Sequence, residues 1–173
     1  TGEELTYNQH GEVCMTGPNT MLGYYKNDTE TNQLIRKHKD GQLWVHSGDL
    51  GYMDEDGMLF IEGRLKRMIV RHDGFKVFPS LIENTIQTCP DVQACCVVGK
   101  DDVEHVQGKL PVVYVVKKEK TDLQDEIRKV LYALCKKELP EYAQPVEINF
   151  IDKLPLTAIG KVDYQELERK SKL

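Results

Sequence analysis

The sequence predicts an α+β fold in which a β-rich segment precedes a small domain of mixed helices and strands. Two turn signals support the first half of this prediction. Gly57 and Gly74 each follow acidic residues and separate two short apolar runs, as in β-hairpins. One strongly amphipathic stretch, residues 121–139, supports the second half, because apolar strand candidates lie on both sides of it. We therefore expect a short β-hairpin or β-barrel piece, followed by a three-stranded sheet with flanking helices and a two-stranded hairpin.

The composition is that of a folded protein and argues against several classes of function. Of the 173 residues, 40% are apolar and 29% are charged. The formal net charge of −5, without a block of basic residues, does not favour nucleic acid as a partner. No run of about 18 apolar residues is present, so no membrane span is predicted. The five cysteines lack CxxC spacing, which argues against a disulfide framework and a zinc site and favours a reducing compartment.

The first half of the chain is predicted to contain one helix among short strands. "EVCMTG" favours a strand that Gly17 and Pro18 terminate. "NDTETNQLIRKHKDG" predicts a helix of about two to three turns, capped by Asp28 or Thr29 and ended at Gly41. "LWVHSGDLGYMDEDGMLFIEGR" and "KRMIVRHDGFKVF" each predict a hairpin.

The second half alternates between helices and strands. Pro79 opens "PSLIENTIQTC", which predicts a helix with proline in its first turn. Three strands are predicted, "VQACCVVGK", "LPVVYVVKK" and "VEINFI", and the first is apolar enough to be buried. "TDLQDEIRKVLYALCKKEL" predicts the longest helix, capped by Thr121 or Asp122 and closed by Pro140. The apolar face of that helix consists of Leu123, Ile127, Val130, Leu131 and Leu134. "DYQELERKSKL" predicts a short polar helix.

Three longer motifs follow one another in a fixed order: "GPNTMLGYYKN", "WVHSGDLGYMDEDGMLFIEGRLKRMI" and "LPLTAIGKVDY". Taken one at a time, the three motifs predict only a loop, a hairpin and a turn. Asp49 alone is a common turn residue, the basic cluster 64–67 alone is a charged strand edge, and Lys161 alone is a solvated surface lysine. In this order the motifs resemble the adenylate-forming superfamily and, more narrowly, acyl-CoA synthetases of the acyl/aryl-CoA ligase type. The resemblance covers nearly the whole chain.

This resemblance implies an ATP-dependent ligase that makes an acyl-adenylate and then transfers the acyl group to coenzyme A. ATP, Mg²⁺ bound with ATP, coenzyme A and a carboxylic acid of undetermined kind are the implied cofactor and substrates. By the same resemblance, residues 1–63 are the end of the large adenylation domain, 64–67 the hinge, and 68–173 the mobile C-terminal domain. The phosphate-binding loop of the family is not in this sequence, so we expect the fragment alone to be inactive and the missing N-terminal domain to be its partner.

The resemblance also assigns roles to five residues. Asp49 corresponds to the aspartate that binds the ribose hydroxyls of ATP, and a carboxylate suits a cis-diol because it accepts two hydrogen bonds at once. Arg64 corresponds to an arginine that contacts the nucleotide. Lys66 matches the hinge position. Lys161 matches the catalytic lysine, whose ammonium offsets the charge that develops when a carboxylate attacks the α-phosphate. Gly74 matches the glycine that faces the coenzyme A tunnel.

The sequence departs from the family pattern around the hinge and the coenzyme A loop. "VRHDGFKV" carries one extra residue before its glycine, and Arg67 stands where an acidic residue is usual. The roles of Arg71, His72 and Phe75 are therefore left unassigned. No metal ligands are predicted, because the histidines show no metal spacing, and His46 is given no chemistry.

Two other functions and two locations stay open at this point. One alternative is an adenylation domain that loads a carrier protein, and the other is a non-catalytic binding module of the same fold. Asp49, Arg64 and Lys161 together argue against the second, because packing does not require these charged side chains. A cytoplasmic location, as in a bacterial enzyme of fatty acid metabolism, is favoured. The terminal Ser171, Lys172 and Leu173 would instead be a peroxisomal address in a eukaryote.

Overall fold

The computed structural model describes residues 2–118 and 123–171. The chain divides into two compact units, Thr1–Lys66 and Arg67–Leu173. The boundary between the units falls within residues 64–67, which the family resemblance marks as the hinge; rotation about it stays a prediction. The mixed α+β fold class is confirmed.

The first unit is a four-stranded antiparallel sheet built on one long strand. Strand β3 (Leu43–Met53) pairs with β1 (Gly11–Met15) along one edge. On its other edge it pairs with β2 (Ile35–Lys37) at its start and β4 (Leu59–Arg64) at its end. The β3–β4 hairpin is the predicted one, and Gly57 has the left-handed φ of +80° that its turn requires.

The predicted first helix is shorter than the sequence indicated. Helix α1 covers Asp28–Leu34 only, and its cap is Asn27, whose side chain accepts a hydrogen bond from the backbone N–H of Glu30. Asp28 and Thr29 are therefore not the cap. The prediction extended the helix to Gly41, but Ile35 to Lys37 pair with β3 instead, because strand pairing there outweighs the weak helix propensity of a short polar run.

The second unit contains two sheets and three helices among its described residues. Strands β5 (Ile69–Val70) and β6 (Lys76–Val77) form the predicted small hairpin, and Pro79 begins helix α2 (Pro79–Gln87) as predicted. The main sheet has the order β7-β8-β9. Its strands are β7 (Val92–Asp101), β8 (Lys109–Lys117) and β9 (Glu147–Phe150), with β7 antiparallel and β9 parallel to β8.

The main sheet is buried on both faces, which explains the continuous apolar run in β7. Cys95 and Val97 point into a core shared with helices α2 and α3 (Gln124–Glu138). Their neighbours Cys96 and Val98 point to the opposite face, where they pack with Leu167 of helix α4 (Tyr164–Lys170). Side chains alternate along a strand, so a strand covered on both sides needs apolar residues at every position.

Helix α3 buries a narrower stripe than predicted. Ile127 and Leu131 are buried as expected, and the third buried residue is Cys135 rather than Leu134, which is only partly buried. Leu123 and Val130 are 52% and 55% exposed. The apolar face therefore follows the 127-131-135 row, with i, i+4 spacing, and Val130 lies off it. The helix ends before Pro140 as predicted, while Thr121 and Asp122 lie outside the described residues.

Two remaining predictions concern the cysteines and membrane spans. All five cysteines are free, and burial raises the pKa of Cys95 and Cys96 to about 12, so these thiols behave as small apolar side chains. None of the helices in the described ranges is long and apolar enough to cross a membrane.

Of the proposed targeting tripeptide, Ser171 follows the last residue of helix α4, and its hydroxyl donates to the Glu168 carbonyl at 2.8 Å. Lys172 and Leu173 lie outside the described residues.

Candidate active site

Asp49 and Arg64 form a directly opposed pair on the β3–β4 hairpin. The two residues are register partners, and the Arg64 Nε lies 3.0 Å from an Asp49 carboxylate oxygen. Arg64 also donates from a terminal nitrogen to the Ser47 carbonyl at 2.8 Å. Because its side chain is 58% exposed, part of its donor fork remains accessible to a ligand. The first unit therefore presents a carboxylate and a guanidinium side by side.

The irregular segment of strand β3 before Asp49 is held by a partly buried acid–imidazole pair. Glu12 accepts hydrogen bonds from the His46 Nδ1 at 2.7 Å and from the Gly48 backbone N–H at 3.1 Å. Burial raises the pKa of Glu12, but the hydrogen bond and charge of His46 outweigh this and leave it below its usual value. Gly48 has a φ of +74°, which permits the tight bend. His46 thus supports the backbone that orients Asp49.

Lys66 lies in a 3₁₀ turn, Leu65–Arg67, directly after strand β4. Arg67, the departure from the family pattern, makes a partly buried ion pair with Glu83 of α2 at 2.5 Å. It also donates to the Val97 carbonyl at 3.2 Å. Sequence reasoning missed this pair, because the two residues belong to elements whose packing is not visible in the sequence.

Gly74 lies at the tip of the β5–β6 hairpin. It has a φ of +83°, and its N–H donates to the Arg71 carbonyl at 3.0 Å, while the Arg71 N–H donates to the Phe75 carbonyl at 3.0 Å. The ring of Phe75 stacks on Tyr142 with centroids 4.6 Å apart. A side chain at this glycine would meet open space, so its backbone conformation, and not crowding, is what favours glycine here.

Lys161 extends from an exposed turn that backbone hydrogen bonds close tightly. Leu156 and Val162 form an antiparallel bridge, and the Thr157 N–H donates to the Lys161 carbonyl at 2.7 Å. Gly160 supplies the left-handed position with a φ of +78°. Gly74 and Lys161 thus lie on two separate turns of the second unit, whereas Asp49 and Arg64 contact each other in the first.

The fold also assembles two groups of potential metal ligands that the sequence did not indicate. One consists of Cys14, His38 and His46 in the first unit, and the other consists of His72, Asp102 and His105 in the second. In each group the ligand atoms lie within 4.8 Å of one another. In each group one member is far from the other two in the chain, so no local spacing pattern could have revealed the whole group.

Comparison with known proteins identifies the architecture. Residues 81–161 match the model of the AMP-binding enzyme C-terminal domain. The structure of an anthranilate CoA ligase in complex with anthranoyl-AMP superposes with a TM-score of 0.83 and 25% identity, over 97% of this chain and 31% of that one. This chain belongs to the adenylate-forming superfamily.

Within this superfamily, the relatives in sequence are named as CoA ligases. The 4-coumarate–CoA ligase 1 of Oryza sativa subsp. japonica is 36% identical over 98% of this chain. The long-chain-fatty-acid–CoA ligase of Escherichia coli O157:H7 is 34% identical over 98% of it. The chain spans 28% of the length of each of these relatives. The amide bond synthetase McbA of Marinactinospora thermotolerans is also similar in structure, with a TM-score of 0.81 and 29% identity over 99% of this chain and 32% of that one.

Proposed function

We propose that this chain is the C-terminal part of an AMP-forming acid–thiol ligase, which activates a carboxylic acid as its adenylate and transfers the acyl group to coenzyme A. The proposal is supported by sequence similarity to two CoA ligases over nearly the full chain. The family resemblance assigns the residues that select the acid to the large domain, of which this chain would hold only the end.

The structural observation that supports the proposal most directly is that Lys161 is exposed on a well-defined turn. Its turn is closed by backbone hydrogen bonds, and the side chain is exposed. Within residues 2–118 and 123–171 its ammonium has no ion-pair or hydrogen-bond partner. An exposed ammonium on an ordered turn is available to an external anion. In adenylation two anionic reactants must approach each other, and a cation placed near them lowers that repulsion and stabilises the charge that develops.

Asp49 and Arg64 are the residues that we assign to the nucleotide. The carboxylate accepts hydrogen bonds from a ribose diol, and the adjacent guanidinium holds the carboxylate in position and offers donors to nucleotide oxygens. Lys66 is proposed as the hinge residue and Gly74 as a backbone position facing coenzyme A. Mg²⁺ enters bound to the ATP phosphates, and no residue of this chain is assigned to it.

Three acyl acceptors are compatible with this fold. Coenzyme A is favoured by the names of the sequence relatives, while a carrier protein remains the alternative. The similarity to an amide bond synthetase adds an amine as a third acceptor to be tested.

The test uses the whole enzyme that contains this chain and measures the two half-reactions separately. One assay follows acid-dependent exchange of pyrophosphate into ATP, with short, long and aromatic acids. The other supplies preformed acyl-adenylate and offers coenzyme A, a carrier protein or an amine. Lys161→Ala is compared with Lys153→Ala, a nearby exposed lysine that serves as the matched control.

We expect Lys161→Ala to lower exchange by about a hundredfold or more, to spare the second half-reaction, and Lys153→Ala to change neither. If the two substitutions changed the exchange rate equally, Lys161 would have no specific role in catalysis. A parent enzyme that exchanges pyrophosphate with none of the acids would favour the non-catalytic binding module. Turnover by the 173-residue chain alone would contradict the expectation that it needs the rest of the enzyme.

A further inference from the structure

Two imidazoles of the second unit converge on a single carboxylate oxygen, and all three groups are potential metal ligands. The Nδ1 of His105 lies 2.8 Å from Oδ2 of Asp102, and the Nδ1 of His72 lies 3.3 Å from the same oxygen. The 3.3 Å separation is that of neighbouring ligands around a tetrahedral ion with bonds of about 2.0–2.1 Å, and the 2.8 Å contact is a hydrogen bond that a bound ion would lengthen. Both imidazole nitrogens therefore contact the same carboxylate oxygen, where an ion could take them as ligands together.

The carboxylate at the centre of this group is held in place by the backbone. Asp102 follows strand β7 directly, and its side chain is only 3% exposed. Its N–H donates to the Gly108 carbonyl at 3.1 Å, which closes the loop 102–108. Its other oxygen accepts from the Glu104 N–H at 3.0 Å. Oδ2 is therefore the oxygen left to face the two imidazoles.

Close backbone packing brings His72 to this loop. A Cβ at Gly108 would lie 2.4 Å from the backbone nitrogen of His72, so only glycine lets the two segments approach this closely. Gly108 also has a φ of +117°, which L side chains rarely adopt. The hairpin that carries His72 and the loop that carries His105 are thus held together by the main chain, before any ligand is considered.

We propose that His72, Asp102 and His105 bind a divalent transition-metal ion, with Zn²⁺ as the favoured ion. Two imidazole nitrogens and one carboxylate oxygen form a donor set that suits Zn²⁺, and water takes the fourth position. The imidazoles are 31% and 42% exposed, so an ion reaches them from solvent. Their rings stack in parallel with centroids 3.4 Å apart, so binding of the ion requires both rings to rotate about their Cβ–Cγ bonds.

The cluster of the first unit is the weaker candidate. Both ring nitrogens of His46 already have partners there: Nδ1 contacts Glu12 at 2.7 Å and Nε2 contacts His38 at 3.0 Å. An ion at that cluster would have to break one of these contacts. In the Asp102 cluster the contacts of both Nδ1 atoms are with another ligand of the same ion, so an ion would break no contact outside the cluster, and it would link the β5–β6 hairpin to the loop after β7.

The test measures Zn²⁺ binding to the metal-free 173-residue chain by isothermal titration calorimetry. All proteins carry Cys14→Ala, so that the first-unit cluster loses its sulfur ligand. His105→Gln is compared with His10→Gln, an exposed histidine that pairs with Glu62. Nitrogen NMR of the histidine rings provides a second measurement, because coordination through Nδ1 shifts that nitrogen and leaves the proton on Nε2.

We expect one ion per chain, an affinity at least tenfold weaker in His105→Gln, and no change in His10→Gln. The Nδ1 signals of His72 and His105 should shift together on addition of Zn²⁺. No saturable binding, equal affinities in the two variants, or shifts confined to other histidines would each overturn the proposal.

Discussion

The ion pair between Arg67 and Glu83 satisfies backbone groups of strand β7 on the edge of the main sheet where no described strand pairs with it. Strand β7 has a neighbour on one side only, and Val97 lies in its middle. Glu83 accepts from the Val97 N–H at 2.9 Å, and Arg67 donates to the Val97 carbonyl at 3.2 Å. The two side chains are 14% and 24% exposed. Replacing Glu83 by alanine therefore removes the carboxylate that accepts from both the buried Val97 N–H and the mostly buried Arg67 guanidinium.

The expected loss of stability follows from these two contributions. An unsatisfied buried N–H costs about 1–3 kcal/mol. Removing one partner of a fully buried ion pair costs about 3–5 kcal/mol, and the partial exposure of Arg67 reduces that figure. Burial lowers the pKa of Arg67, but the hydrogen bond and charge of Glu83 outweigh it and raise the pKa, so the guanidinium stays charged. We expect Glu83→Ala to lower the free energy of unfolding by about 3 kcal/mol. Glu83→Gln, which keeps one acceptor, should cost about 1 kcal/mol.

Urea unfolding followed by the helical circular dichroism signal is the appropriate assay, because helices α2, α3 and α4 all belong to the second unit. A loss of about 3 kcal/mol corresponds to a midpoint shift of about 1–3 M urea. Lys170→Ala is the control, since Lys170 pairs with Glu166 on the surface at 2.8 Å and such pairs contribute about 0.5 kcal/mol or less. If Glu83→Ala shifts the midpoint no further than Lys170→Ala, the pair does not stabilise the edge of β7.

Two further predictions concern the second unit. Gly108→Ala should destabilise it by about 2 kcal/mol or more in the same urea assay, because the new Cβ clashes with the backbone of His72. Gly160→Ala, at an uncrowded left-handed position, should cost about 1 kcal/mol, and equal losses would contradict the packing argument. The hydrogen bond from Lys100 lowers the pKa of Glu147, so the stabilisation is present above the ordinary value of 4.5 and is lost as pH falls through the folded-state pKa. Lys100→Met should therefore destabilise the protein at pH 6, with an effect that shrinks as pH falls below 4.5, and a pH-independent effect would contradict this assignment.

The elements that the sequence predicted well are those determined by short-range rules. The turns at Gly57 and Gly74 both need a left-handed backbone, and glycine adopts it without strain. The buried strand β7 was recognised because a sheet covered on both faces excludes polar residues. Pro79 marked the start of α2 because its missing N–H is not needed at the first helical position.

The errors arose where a distant partner decides the local structure. Ile35 to Lys37 form a strand because β3 offers its edge, and nothing in that tripeptide indicates the pairing. The helical spacing predicts Val130 on the apolar face, but only the row of residues that contains Leu131 is buried in the core. The resemblance named Asp49 and Arg64 separately, whereas only the strand register shows that they lie opposite each other.

The two turns that carry Gly74 and Lys161 are closed by main-chain hydrogen bonds, with a glycine at each strained position. Among the described residues, the Lys161 side chain adds no hydrogen bond or ion pair to its turn, so its identity is free to serve chemistry. It follows that Lys161→Ala should change catalysis while leaving the free energy of unfolding within about 0.5 kcal/mol of the parent value. A large loss of stability in that variant would show that the turn depends on its side chain, and its lowered activity could then no longer be assigned to the missing ammonium.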